Sequence, residues 1–187
     1  MSARETFSSL YGAYRLARGD TGGLAFFETG LKGFWNSFYA AAFIAPFYAI
    51  FMILSFQVEP AGMPLARVAT FEGISYVITW VAFPLAMFHL CRNIGREKEY
   101  LGFITAYNWA AIIQNSLFLP LAMLSVTKVI PADAAAFLNM VVLSLIVAYS
   151  WFIAKEALRV SPFTALGVVT LDFAIGVLVD IMTGGFL

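Results

Sequence analysis

Polar residues interrupt this chain in a few narrow bands, with long apolar runs between them. Charge-free stretches cover residues 33–58, 73–91, 100–127 and 134–154. Each meets the roughly 18–20 residues a helix needs to cross ~30 Å of hydrocarbon. A fifth stretch, 160–187, is long enough once Asp172 and Asp180 are admitted into it. The pattern predicts an all-α integral membrane protein. Its architecture is a five-helix transmembrane bundle with spans at about 34–56, 71–91, 103–127, 134–154 and 163–182, together forming a bundle of residues 34–187.

Residues 1–33 read differently. Phe7, Leu10, Tyr11 and Tyr14 recur at helical spacing with Arg15 and Arg18 beside them, and "GDTGG" then breaks the pattern. Phe26, Phe27, Leu31 and Lys32 begin a second short amphipathic piece. Aromatic residues with basic neighbours suit helices lying in the membrane interface, near anionic headgroups. Phe7, Tyr11, Tyr14, Arg15, Arg18, Phe26 and Phe27 are therefore expected anchors, and a helix packed on the protein's own loops is the alternative. Seven charged residues precede Gly33, so the first span, rather than a cleaved leader, is expected to direct insertion.

Five spans place the N-terminal segment, residues 92–99 and residues 155–159 on one side. That side carries nine of the eleven lysines and arginines, leaving Arg67 and Lys128 for the other. Short loops follow the positive-inside rule. A cytoplasmic N-terminus and an outside C-terminus are expected, in the inner membrane if the protein is bacterial.

Composition agrees with the pattern: 61% of the 187 residues are hydrophobic and 12% charged, about half the charged share of a soluble domain. The net charge of zero gives no reason to expect a nucleic-acid partner. Cys91 and His89 are each the sole residue of their type, so no internal disulfide, bis-histidine haem or histidine-built zinc site is expected. Pro46, Pro84 and Pro120 fall inside spans and predict kinks. Ala106 with Ala110, and Ser144 with Ala148, make small-xxx-small pairs that allow close helix approach. Trp35, Trp80, Trp109 and Trp151 include expected interfacial anchors.

The two aspartates are the costliest residues. Asp180 falls near the outer boundary, before a stretch expected to fray. Asp172 falls near mid-membrane, where a carboxylate must face inward, find partners or be protonated. Counting inward from an onset of the third span near Phe103 puts Gln114 and Asn115 at matching depth, with Ser144 and Thr79 alongside. These five residues form the candidate intramembrane polar cluster, with Asp172 expected to bond Gln114 or Asn115. Glu72 reads as a first-turn acid of the second span, and Asn36, His89 and Asn108 as residues of the cytoplasmic boundary. No paired carboxylates, nucleophile–base pair, phosphate cradle or metal-ligand cluster is legible. No catalytic residue, cofactor or metal is expected, and the chain is not read as an enzyme.

In architecture, and in the Leu10-Tyr11-Gly12 of "SLYGAY", the chain resembles the Yip-domain family, small five-span membrane proteins with an Asp-Leu-Tyr-Gly-Pro motif before the first span. The acid and the proline of that motif are absent here. The resemblance implies a non-enzymatic membrane organiser or partner-binding protein; membrane lipids are the expected partners, with another membrane protein or a second copy of the chain as the further candidates. The alternative is a small proton- or ion-coupled transporter or channel component using Asp172.

Overall fold

A computed structural model describes residues 2–58 and 62–184, which fold as helices without strands. Helix α1 spans Ala3–Ala17, a 3-10 turn spans Thr21–Phe26, and α2 spans Gly30–Ser37. The bundle helices are α3 (Tyr39–Val58), α4 (Leu65–Asn93), α5 (Glu97–Val126), α6 (Ala132–Leu158) and α7 (Pro162–Gly184). α2 and α3 run on as one apolar unit, so five segments are long and apolar enough to cross a membrane. This is a multi-pass integral membrane protein. The expected fraying covers residues 182–187; α7 stays helical to Gly184, and residues 185–187 lie outside the described residues.

The span helices outrun their charge-free stretches. α4 takes in Arg67, Glu72 and Arg92, and α5 begins at Glu97, six residues before the expected onset at Phe103. Charged residues end the hydrocarbon-compatible stretch, but they do not end a helix. Capping groups and left-handed residues do that: Gly95 (φ 67°) follows α4, and Arg159 (φ 53°) follows α6. The helices also continue through Pro46, Pro84 and Pro120.

α5 is the axis of the bundle. α3, α4 and α6 pack on it, α7 closes the gap between α4 and α6, and α1 and α2 cover its N-terminal half. That half is buried on most sides by Phe103, Ile104, Thr105, Ala106, Asn108, Trp109 and Ala110. The small pair Ala106 and Ala110 is fully enclosed, as close helix approach requires. Ser144 and Ala148 instead face outward. Trp109 is not an interfacial anchor, being 1% exposed in the core. Asn108 is likewise interior, donating to Ser37 Oγ at 2.9 Å rather than reaching a boundary.

The N-terminal layer is one docked unit. Ser2 and Glu5 close a capping box on α1: Ser2 Oγ accepts from Glu5 N at 3.2 Å, and Glu5 accepts from Ser2 N at 2.8 Å. Ser9, Gly12, Ala13 and Leu16 form the buried stripe of α1, and Tyr149 of α6 donates to the Ala13 carbonyl at 2.7 Å. Gly12 crosses the 3-10 turn so closely that a Cβ there would lie 2.8 Å from Gly23 O and 2.9 Å from Phe26 Cβ. Lys32 ties the layer together, bridging Glu5 at 2.9 Å and Glu28 at 2.8 Å.

Candidate functional site

Asp172 faces the bundle, and its partner differs from the one expected. Tyr107 donates its hydroxyl hydrogen to Asp172 Oδ1 at 2.7 Å. Gln114 donates instead to Ser150 Oγ at 2.9 Å, and Asn115 to the Ala111 carbonyl at 2.9 Å. The reason is register. Asp172 lies ten residues into α7 and Tyr107 ten residues into α5, each about 15 Å along its helix. Because α5 starts at Glu97 rather than Phe103, Gln114 lies about 26 Å in. The other two expected members also stay apart from Asp172. Ser144 is exposed and bonds the Met140 carbonyl at 2.8 Å, while Thr79 bonds the Ser75 carbonyl at 2.9 Å.

Tyr107 leads to the main polar feature of the bundle, a cavity of about 350 Å³ between α3, α4, α5 and α7. Tyr48 of α3 supplies one wall, and Glu72, Tyr76, Thr79 and Trp80 of α4 a second. Tyr107, Asn108, Gln114 and Asn115 line it from α5, and Gly176 and Asp180 from α7. Three of the five expected cluster residues, Gln114, Asn115 and Thr79, thus do share a site, but Asp172 stands behind it, joined through Tyr107. Glu72 is not a first-turn acid. α4 begins seven residues earlier, at Leu65, and Glu72 accepts the Tyr48 hydroxyl within the bundle.

The lining is held in place by its own hydrogen bonds. Tyr76 donates to the Ala41 carbonyl at 2.7 Å, Ser75 to the Phe71 carbonyl at 2.8 Å, and Tyr48 to Glu72. The rings of Tyr48 and Tyr76 lie 5.1 Å apart between centroids, and those of Tyr76 and Trp80 6.2 Å. Such contacts fix a polar wall in one arrangement before any ligand arrives, which lowers the ordering cost of binding. Among the described residues, no lysine, arginine or histidine lines the cavity, and no group of three or more His, Cys, Asp or Glu is placed to hold a metal. Sequence reading passed over Tyr48, Tyr76 and Tyr107 because a tyrosine in a span looks like an aromatic belt residue. The available signal was that all three fall at mid-span positions, away from the helix ends where belt residues sit.

The expected interfacial anchors divide into three groups. Phe7 is 73% exposed, and Tyr11 and Tyr14 are half exposed with Arg18 stacked over the Tyr14 ring at 5.8 Å. Phe26 and Arg15 turn inward: the Phe26 ring meets Tyr11 at 4.9 Å, and Arg15 stacks on Phe26 at 5.2 Å while its Nε donates to Asp20 at 2.7 Å. Phe27 is buried in the core, so it anchors the layer to the bundle rather than to lipid. The guanidinium of Arg15 and the Gly22 N–H hold the Asp20 carboxyl below its ordinary range. The Ser2 N–H, then Lys32, lower Glu5 to about 2.

No protein-family model, curated protein or solved structure matches the chain.

Proposed function

We propose that the chain is a non-catalytic membrane protein whose working part is the cavity between α3, α4, α5 and α7. In this reading it holds a polar ligand within the bilayer, as a binding or transport component. What carries the reading is the lining itself: carboxylates, amides and tyrosines at membrane depth, the tyrosines already fixed by bonds from one helix to another. Polar groups in a span are costly and mark ligand or ion paths. The size also suits a small-molecule site, near the lower end of the usual ~300–1,000 Å³. The basic asymmetry of the sequence supports a cytoplasmic N-terminal layer, with the Glu72 and Asp180 end of the cavity toward the outside.

A cysteine at Gly176, in a Cys91→Ser background, tests this in native membranes. A Cβ at Gly176 meets nothing within 4 Å, so the variant should fold. A small water-soluble thiol reagent should modify it from the outside. An unreactive Cys at 176 that reacts fully on denaturation would overturn the reading.

A second reading is a Yip-like membrane organiser, supported by the outward face of α1. Phe7, Tyr11 and Tyr14 are exposed there around the Leu10-Tyr11-Gly12 sequence, and aromatic residues at an interface favour lipid headgroup depth. Phe7→Trp should add fluorescence that shallow brominated lipids quench. Added fluorescence that stays unquenched would place this face away from lipid.

A further inference from the structure

We propose that the cavity's ligand is a small protonated amine; this rests on the reading that the cavity holds a ligand. The inference comes from counting what the lining offers. Tyr48, Tyr76 and Tyr107 have each spent their single hydroxyl hydrogen on protein acceptors. So have Ser75 and Thr79.

The amides repeat this pattern, and two of them can be oriented from chemistry alone. Ser37 donates its hydrogen to the Phe34 carbonyl at 2.7 Å, so its oxygen only accepts; the Asn108 atom at 2.9 Å from it must be the amide nitrogen. Asn115 contacts a backbone carbonyl, which also only accepts, so its nitrogen is fixed by the same rule. In both residues one N–H is committed to the protein, which leaves the second N–H and the amide oxygen.

Among what remains, acceptors still outnumber donors: carboxylate oxygens of Glu72, which have taken the Tyr48 hydroxyl, with amide oxygens and tyrosine lone pairs, against one N–H on each amide. The lining's formal charge is negative without a basic side chain in the wall. A carboxylate in a span needs a partner to offset its lost hydration. A primary ammonium supplies a positive charge and three N–H donors at once. The Tyr48, Tyr76 and Trp80 rings accept its alkyl part or the cation itself against their faces. A bare metal ion suits the site less, since it asks for several oxygens converging at short range, and no group of three or more His, Cys, Asp or Glu is placed to hold one among the described residues.

Calorimetric titration of the full-length protein in detergent at neutral pH tests this with three probes: cyclohexylammonium, its neutral counterpart cyclohexanol, and potassium chloride. Cyclohexylammonium should bind saturably and at least about tenfold more tightly than cyclohexanol, the size of one hydrogen bond to a charged group. Glu72→Gln, which keeps an acceptor for Tyr48, should weaken it by a similar factor without moving the melting temperature. Gly176→Phe should abolish binding by filling the cavity. Cyclohexanol binding as tightly as the ammonium would overturn the amine assignment while leaving a cavity ligand in place, as would potassium displacing the ammonium at equal concentration. Saturable binding that persists in Gly176→Phe would put the amine elsewhere and overturn the inference. Failure of all three probes would overturn the amine inference, and with an unreactive cysteine at 176 the cavity reading would fall too.

Discussion

The Tyr107–Asp172 bond allows a clean perturbation. Tyr107→Phe removes one hydroxyl and leaves the ring where it packs, 4.4 Å from the Phe83 centroid and 5.9 Å from that of Phe103. Asp172 then loses the donor that stood 2.7 Å away. An acceptor stripped of its partner in a protein interior costs about 1–3 kcal/mol. Side-chain bonds within membranes have averaged nearer ~0.6 kcal/mol and reached about 1.7, because the unfolded chain in detergent finds partners too. A cost of about 1–2 kcal/mol is therefore expected for Tyr107→Phe. Asp172→Leu should cost a similar amount by stranding the tyrosine hydroxyl, whereas Asp172→Asn should cost less, since its amide oxygen still accepts. The double variant Tyr107→Phe/Asp172→Leu leaves neither group stranded, so the two losses should fall short of adding by about 0.5–1.5 kcal/mol. Reversible unfolding of the four proteins in mixed micelles measures this. Strict additivity, or an Asn variant as damaged as Leu, would refute the pairing of these two groups.

Other outcomes follow from the packing of the N-terminal layer and the core. Gly12→Ala forces a methyl against Gly23 O and Phe26 and should cost about 1–3 kcal/mol, read as a lowered melting temperature; an unchanged value would show that the layer is looser than described. Glu5 titrates near 2 against an ordinary 4.5, and Asp20 is also lowered. Their contribution is present above the ordinary value and is lost as pH falls through the folded one. Protection factors of α1 amides, exchange rates corrected for the intrinsic rate at each pH, should fall between pH 4.5 and 2, and less so in Glu5→Gln; unaltered protection factors down to pH 2 would contradict the role of the box. Trp109→Ala should cost about 3–5 kcal/mol, as a large core truncation does, and a loss below 1 kcal/mol would contradict its burial. Reporter fusions after Arg96 and after Leu187 should report opposite sides of the membrane, the first cytoplasmic; identical reports would contradict five crossings.

The spans were legible because hydrocarbon imposes one strong constraint, and charge-free length records it directly. Helix ends were not, since α5 runs on through Lys98 and Glu99 into water, and hydrophobicity does not mark where a helix stops. That single offset displaced Asp172's expected partner by two turns, from Tyr107 to Gln114. Gln114, Asn115 and Thr79 were recognised as members of a polar site, but the tyrosines that organise it were not. An aromatic side chain reads the same in sequence whether its hydroxyl meets water at an interface or a carboxylate across the bundle. The interior fate of Phe27 and Trp109 was hidden for a related reason: both a lipid interface and a protein core reward aromatic residues. The close crossing of Gly12 over the 3-10 turn depends on residues eleven to fourteen positions later, which periodicity within one helix does not register.

The most direct test of the cavity is a high-resolution experimental structure of the full-length protein in a lipid nanodisc at neutral pH, with cyclohexylammonium present. The account expects an open space between α3, α4, α5 and α7 holding ordered density within hydrogen-bonding distance of Glu72 or Asp180. The same structure with α3 and α4 closed together, and the space filled by side chains or an acyl chain, would contradict it.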